Sequence, residues 1–194
     1  MSTTMKLYIE FIGSYSDQDQ GTWCDTFRAN VPIIVTGAVS SLGESYLNGG
    51  QDYRLYCALA GVRGDRTPLY APRGLPSVVS RQIGKQLFVP VVEDATWTPL
   101  MSAVSVTEAK RQTEKGTAIF SVSRAGSFEE HRILDADIYG TSWLKLGEVE
   151  AALKHHDIKA DEIPVPFSAI LAAARRLEEG LGEDRVRLTF WFSG

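Results

Sequence analysis

Cysteine and histidine are scarce in this chain, two of the first and three of the second among 194 residues. Cys24 and Cys57 are too few for a disulfide-stapled scaffold or a structural zinc site, and each stands beside a large apolar residue. Both are therefore expected as free, buried thiols in a reducing cytoplasm. His155 and His156 are adjacent, so they do not present two imidazoles to one ion as an i, i+4 pair does. They follow a helical stretch, where a positive ring complements the dipole, and are expected to be exposed. His131, in EEHRIL, is then the one candidate general base for a hydrolase, with Asp135 or Glu130 as partner and a surface ion pair as its simpler use. No catalytic residue is assigned.

Other absences narrow the function further. No apolar run approaches the ~18 residues of a membrane span, and MSTTMKLYIEF lacks the basic-then-apolar pattern of a secretory signal. The formal net charge of -4 argues against binding to duplex nucleic acid or an anionic membrane, so any anion site must be local. No repeat of ~20 to 50 residues is visible. Gly61-Val62-Arg63-Gly64 is too short for a phosphate loop and has no lysine-serine pair. Asp135 and Asp137, in DADIYG, depart from the calcium-loop pattern and suit loop capping. No metal and no cofactor is expected.

What is present is a chain of the length and apolar content of one compact domain, 1–194, with an inserted subregion around 88–135. Alternation predicts a strand over Lys6–Ile12, a hairpin return within Thr22–Ala29 and an edge strand within Val31–Val39. Ser40–Gly50 reads as a flexible connection. Asp52 is placed to cap a short helix that ends at Gly61, with Tyr53, Tyr56, Leu59 and Ala60 on one face. A second helix is expected from Pro76, with Val79, Ile83 and Leu87 on the core, followed by a strand over Leu87–Val92. A polar helix at Thr107–Glu114, a strand around Ala118–Val122 and an acidic, mobile stretch at Ser127–Asp137 follow. Leu146, Val149 and Leu153 then mark a helix. Pro164 and Pro166 open the longest one, along which Ile170, Ala174, Leu177 and Leu181 share a side. Val186, Leu188, Phe190 and Phe192 alternate with Arg187, Thr189 and Trp191 in the clearest strand of the chain. The fold class expected is α+β: a mixed or antiparallel sheet holding both terminal strands, packed against the long C-terminal helix and shorter helices.

The segment Asp52–Pro76, DYRLYCALAGVRGDRTPLYAPRGLP, carries four arginines against two acids. Guanidinium forks grip phosphate or carboxylate in pairs of hydrogen bonds and stack on aromatic planes. Arg54, Arg63, Arg66 and Arg73, with Tyr56, Tyr70 and Trp143 as stacking partners, are the candidate ligand-binding residues. The competing use is local: Arg63 or Arg73 fixing carbonyls of its own loop while the others face water.

Asp52–Asp65, Ala71–Ser80, Ser142-Trp143-Leu144 and the terminal Arg187–Phe192 together resemble a family of small phage and bacterial proteins of uncharacterised activity. Its members share a segment like DYRLYCALAGVRGD, an APRGLP element with a valine-serine step, a serine-tryptophan-leucine motif and a terminal aromatic strand. The match covers about a third of the chain. Many members carry a glycine-cysteine-aspartate-isoleucine-histidine motif on the first strand and a histidine before the serine-tryptophan pair. Here Lys6-Leu7-Tyr8-Ile9-Glu10, Tyr139 and Thr141 stand instead, so no histidine chemistry carries over. The resemblance implies a phage or prophage origin and a shared scaffold.

Together these features lead to the expectation of a non-enzymatic, phage-encoded binding protein in the host cytoplasm. It would sequester a small anionic, nucleotide-like ligand, antagonise a host defence signal and work as a homo-oligomer. The alternatives are a protein-protein module that inhibits a host enzyme through Trp23, Trp97 and Trp191, and a small hydrolase using His131.

Overall fold

The computed structural model describes residues 3–12, 23–25, 32–35, 38–41, 52–77, 79–115, 119–124 and 128–194. The loop expected at 14–21 and most of the connection at 42–50 lie outside these residues, as do the side chains of Trp23 and Cys24. The chain divides into two compact units, one formed by Met1–Arg81 with Tyr139–Gly194 and the other by Gln82–Ile138. The class is α+β.

The first unit is built on a four-stranded sheet of order β2-β1-β10-β9, from β1 (Thr4–Ile12), β2 (Trp23–Asp25), β9 (Ile138–Leu144) and β10 (Val186–Ser193). The two terminal strands lie antiparallel at its centre, in the register Thr4↔Ser193 through Phe11↔Val186. β2 pairs antiparallel with the other edge of β1. The expected single edge strand at 31–39 is instead two, β3 (Pro32–Val35) and β4 (Ala38–Ser41), paired antiparallel with each other.

Period-2 alternation puts Met5, Leu7, Ile9 and Phe11 on the same face as Val186, Leu188, Phe190 and Phe192. That face is covered by three helices, α1 (Tyr53–Ala60), α4 (Leu146–His155) and α5 (Val165–Leu181), whose Leu55, Tyr56, Leu59, Val149, Leu153, Phe167, Ile170 and Ala174 complete the core. Each fully buried leucine, isoleucine, valine, methionine or phenylalanine among them contributes roughly 1.5–3 kcal/mol by leaving water. Leu177 and Leu181 pack partly buried against it.

The opposite face, which carries Arg187, Thr189 and Trp191, is covered as well. Every residue from Val186 to Phe192 is buried. Glu10 and Arg187 sit opposite each other and form an ion pair at 2.7 Å, with Thr189 Oγ1 donating to the same carboxylate at 2.8 Å. The Ser80 amide donates to the other oxygen of Glu10. Tyr8 and Trp191 stack beside them at 5.1 Å.

The helix ends follow their local chemistry. Asp52 Oδ1 accepts the amides of Arg54 and Leu55, and Gly61, at φ +67°, terminates α1 in the left-handed conformation open to glycine. The buried stripe is wider than expected, Leu55 through Ala60, while Tyr53 stays partly exposed. Pro166 sits in the first turn of α5.

The helix expected from Pro76 begins later, as α2 (Arg81–Leu87), since the Ser80 amide is drawn to the Glu10 carboxylate instead of entering a helical turn. Ile83 and Leu87 are fully buried and Val79 is half-buried.

The second unit holds a sheet of order β6-β5-β8-β7, from β5 (Phe88–Val92), β6 (Val104–Ser105), β7 (Ile119–Arg124) and β8 (Phe128–Leu134). β8 pairs antiparallel with both neighbours, and β5 runs parallel to β6. The acidic stretch read as mobile is therefore largely this strand. α3 (Val106–Glu114) is capped by Ser105 Oγ, and it buries Ala109 and Gln112 although its composition is polar. Hydrogen bonds from Arg111 and then Gln112 hold its Glu108 carboxyl down to about 2.

Candidate functional site

The first turns of α1, from Tyr53 to Cys57, the loop residues Arg63–Arg66 and the residues His156–Ile158 that follow α4 line an open pocket of about 460 Å³. Its lining includes Arg54, Arg63 and Arg66, so three of the four candidate arginines share one concave surface. Arg54 is on the exposed face of α1 and pairs with Glu162 at 3.0 Å. With both side chains largely in water that pair contributes at most about 1 kcal/mol, little against a competing ligand. Arg63 Nε donates to Thr3 Oγ1 at 2.7 Å, which fixes the stem of its side chain. Arg66 reaches only the His156 carbonyl, at 3.5 Å, and meets no carboxylate among the described residues.

The loop is pressed against α1. A Cβ at Gly64 would fall 2.3 Å from Cys57 Sγ, so only glycine fits there, and the thiol donates to the Arg66 carbonyl at 3.2 Å. Cys57 is a buried free cysteine, as the sequence suggests. Two non-glycine residues with positive φ, Arg63 at +59° and Asp157 at +55°, both lie on this pocket. Backbone strain of this kind costs of order 1–2 kcal/mol per residue and tends to collect at binding sites.

Arg73, Tyr70 and Trp143 are elsewhere. Both terminal nitrogens of Arg73 are engaged by Glu148, at 2.9 and 2.5 Å, and its backbone amide donates to Ser142 Oγ at 3.1 Å. Its guanidinium carbon lies 4.7 Å from the centre of the Trp143 ring and 5.7 Å from that of Tyr70. Glu148 in turn accepts the Lys145 amide at the start of α4, and the Arg73 fork holds its carboxyl below the usual range. This arginine clamps its loop to α4 and has no fork left for a ligand.

Tyr56 is also removed from the candidate set. It is fully buried, its hydroxyl accepts the Met5 amide at 3.2 Å, and its ring meets Phe192 edge-on at 5.1 Å. Burial pushes the phenol up, so it stays neutral, and no base can stack on it.

Two residues absent from the sequence-based set take their place. Tyr53, one turn before Cys57, offers a 39% exposed aromatic ring to the pocket. His156 was expected in water beside His155, but only His155 is exposed, while His156 is 6% exposed and lines the pocket. Its Nε2 is buried without a hydrogen-bond partner among the described residues. Burial first, and then the neighbouring His155 and Arg66, hold this imidazole below its ordinary range. Hydrophobic spacing gave a signal for neither role, although burial of the second histidine follows from the way α4 ends.

The other candidates separate similarly. Trp191 is fully buried and cannot anchor a partner, whereas Trp97 is 39% exposed, with its indole donating to the Ala103 carbonyl at 2.9 Å. His131 is exposed on β8, opposite Ser121 in the register, and Asp135 Oδ1 is engaged by the Asp137 amide in a turn. Among the described residues no group of three or more histidine, cysteine, aspartate or glutamate side chains is arranged to hold a metal ion, and no helix is long and apolar enough to cross a membrane. Comparison of the chain with protein-family models, with curated proteins and with solved structures finds no match.

Proposed function

We propose that the first unit is a binding module for a small anionic ligand, held at the pocket of Arg54, Arg63 and Arg66 without chemical conversion. The observation that carries this reading is the meeting of three guanidinium side chains and the Tyr53 ring on one concave surface. Arginine forks supply charge-assisted hydrogen bonds worth roughly 1.5–3 kcal/mol each, and an adjacent aromatic face suits a planar base, so a nucleotide-like anion fits the chemistry. Asp65 and Asp157 share the rim and would disfavour densely charged polyanions. In the phage setting that the sequence resemblance implies, such a module would sequester a host signalling nucleotide. The pocket leaves one side of a ligand in water, and a second copy closing over it would give the retention that sequestration needs.

The test is a thermal-shift panel of cyclic and linear nucleotides, with bound ligand recovered after denaturation. Stabilisation by at least one member and recovery of that member unaltered are expected. Arg66→Ala should weaken binding at least about tenfold, in line with loss of one charge-assisted contact, while Arg73→Ala leaves affinity unchanged. A flat panel, or recovery of a converted ligand, removes the reading.

A further inference from the structure

We propose that the anion taken up by the arginine pocket is a guanine nucleotide, whose base is read by the Asp157 carboxylate. This rests on the binding reading above and adds to it a base and the residue that recognises it.

One concave surface carries both signs of charge here without joining them. Arg54, Arg63 and Arg66 line it together with Asp65 and Asp157. Both aspartates are exposed, and neither side chain takes part in a hydrogen bond or an ion pair among the described residues. Arg66 reaches the carbonyl of His156, the residue just before Asp157, and still makes no pair with the Asp157 carboxylate. A ligand made of phosphate groups alone would satisfy the guanidiniums but set its charge against two uncompensated carboxylates, a like-charge juxtaposition that counts against it. The complementary ligand is dipolar, with an anion at the arginines and N–H donors at an aspartate.

Asp157 is the better placed of the two for the donor end. Aspartate tolerates left-handed backbone when its short side chain hydrogen-bonds locally, and at φ +55° this one makes no such bond. The strain is therefore not repaid by the side chain within the chain itself. The backbone there is pinned on both sides, by the Asp157 amide on the Lys154 carbonyl and the Ile158 amide on the Leu153 carbonyl, each at 3.0 Å, and Ile158 is buried. A carboxylate carried on so fixed a backbone can discriminate shape as well as charge.

The donor pattern selects the base. An aspartate presents two acceptor oxygens side by side and no donor. Among the common bases, guanine alone has two adjacent donors on its pairing edge, N1–H and the 2-amino group. Adenine and cytosine place a lone pair beside their amino group, and uracil flanks its N3–H with two carbonyls, so each turns a lone pair toward the second carboxylate oxygen. The Tyr53 ring, exposed in the same pocket, supplies a face on which a purine can stack. A volume of about 460 Å³ falls within the roughly 300–1,000 Å³ of small-molecule sites and suits a single nucleotide.

The experiment titrates the full chain by calorimetry with guanosine, inosine and adenosine monophosphate at one ionic strength. The guanine nucleotide is expected to bind at least about tenfold more tightly than the adenine one, with inosine, which keeps N1–H and lacks the amino group, between them. Asp157→Asn, which accepts the same backbone conformation, should keep the thermal midpoint of the protein without nucleotide while weakening the guanine nucleotide about tenfold and erasing the preference. A guanine preference that survives Asp157→Asn overturns the assignment to this residue. Equal affinity for all three nucleotides, lost together in Arg66→Ala, overturns base recognition and leaves the anion pocket standing. If none of the three binds while another nucleotide of the thermal-shift panel does, the guanine reading is wrong in the same way. If no nucleotide binds at all, the pocket reading falls with it.

Discussion

Asp157 shows at single-residue scale how the pocket is shaped against local preference. α4 ends with the Asp157 amide donating to the Lys154 carbonyl and the Ile158 amide to the Leu153 carbonyl, the paired bonds of a helix terminus whose next residue is left-handed. Glycine is the usual occupant of that position, and aspartate at φ +55° is the costlier choice. Asp157→Gly is therefore expected to raise stability by up to about 1 kcal/mol, measured as a shifted urea midpoint at unchanged slope. A loss of stability instead would show that the carboxylate does more for the fold than the backbone strain costs. The same termination explains why His156 eluded a reading of the sequence: the chain reverses onto the core through buried Ile158, carrying His156 inward while His155 remains outside. The arginines were legible as a cluster in sequence. Which of them share a cavity was not, because Arg73 lies beyond Pro68 and Pro72, where an extended chain carries it to Glu148.

At the scale of elements, strand β10 holds the most information. Its alternation placed it in the sheet, and the capping chemistry of Asp52 and Gly61 placed α1 equally well. Alternation reports which residues share a face and is silent on whether that face is covered. Here both are, and the polar side is neutralised internally by Glu10 and Arg187. A buried pair of this kind adds little net stability, but removing one partner leaves an uncompensated charge. Arg187→Met should cost about 3–5 kcal/mol by chemical denaturation, and pairing it with Glu10→Gln should recover a good part of the loss, so that the two changes are strongly non-additive. Additive penalties would mean that Glu10 is held mainly by Thr189 and the Ser80 amide. β8 failed to appear in the sequence for a related reason. Its acidic residues read as solvated loop, whereas its pairing on both sides with β5 and β7 is a non-local fact that no window of the sequence contains.

For the whole molecule, the consequence concerns how much of the chain the pocket needs. The apolar core behind it draws on residues from 5 to 60 and from 144 to 192, and none of its members belongs to 82–138. The second unit has a sheet of its own, in which β5 pairs with β8 from Phe88↔Leu134 onward. Just outside that pair the Asp135 amide donates to the Leu87 carbonyl at 2.9 Å, so the chain enters and leaves the second sheet at neighbouring points. Antiparallel neighbours are about 5 Å apart, and two residues of extended chain span about 7 Å. Replacing 88–134 by Gly-Gly therefore requires no rearrangement of the flanking backbone, and insertions joined at close termini are commonly dispensable for the host fold. The shortened chain is expected to unfold cooperatively in urea, to keep the near-ultraviolet signal of buried Trp191 and to retain the thermal stabilisation by the nucleotide that stabilises the intact chain. A broad, non-cooperative transition would show that residues 88–134 stabilise the first sheet itself. A cooperative transition without that ligand stabilisation would instead make the second unit part of the binding surface.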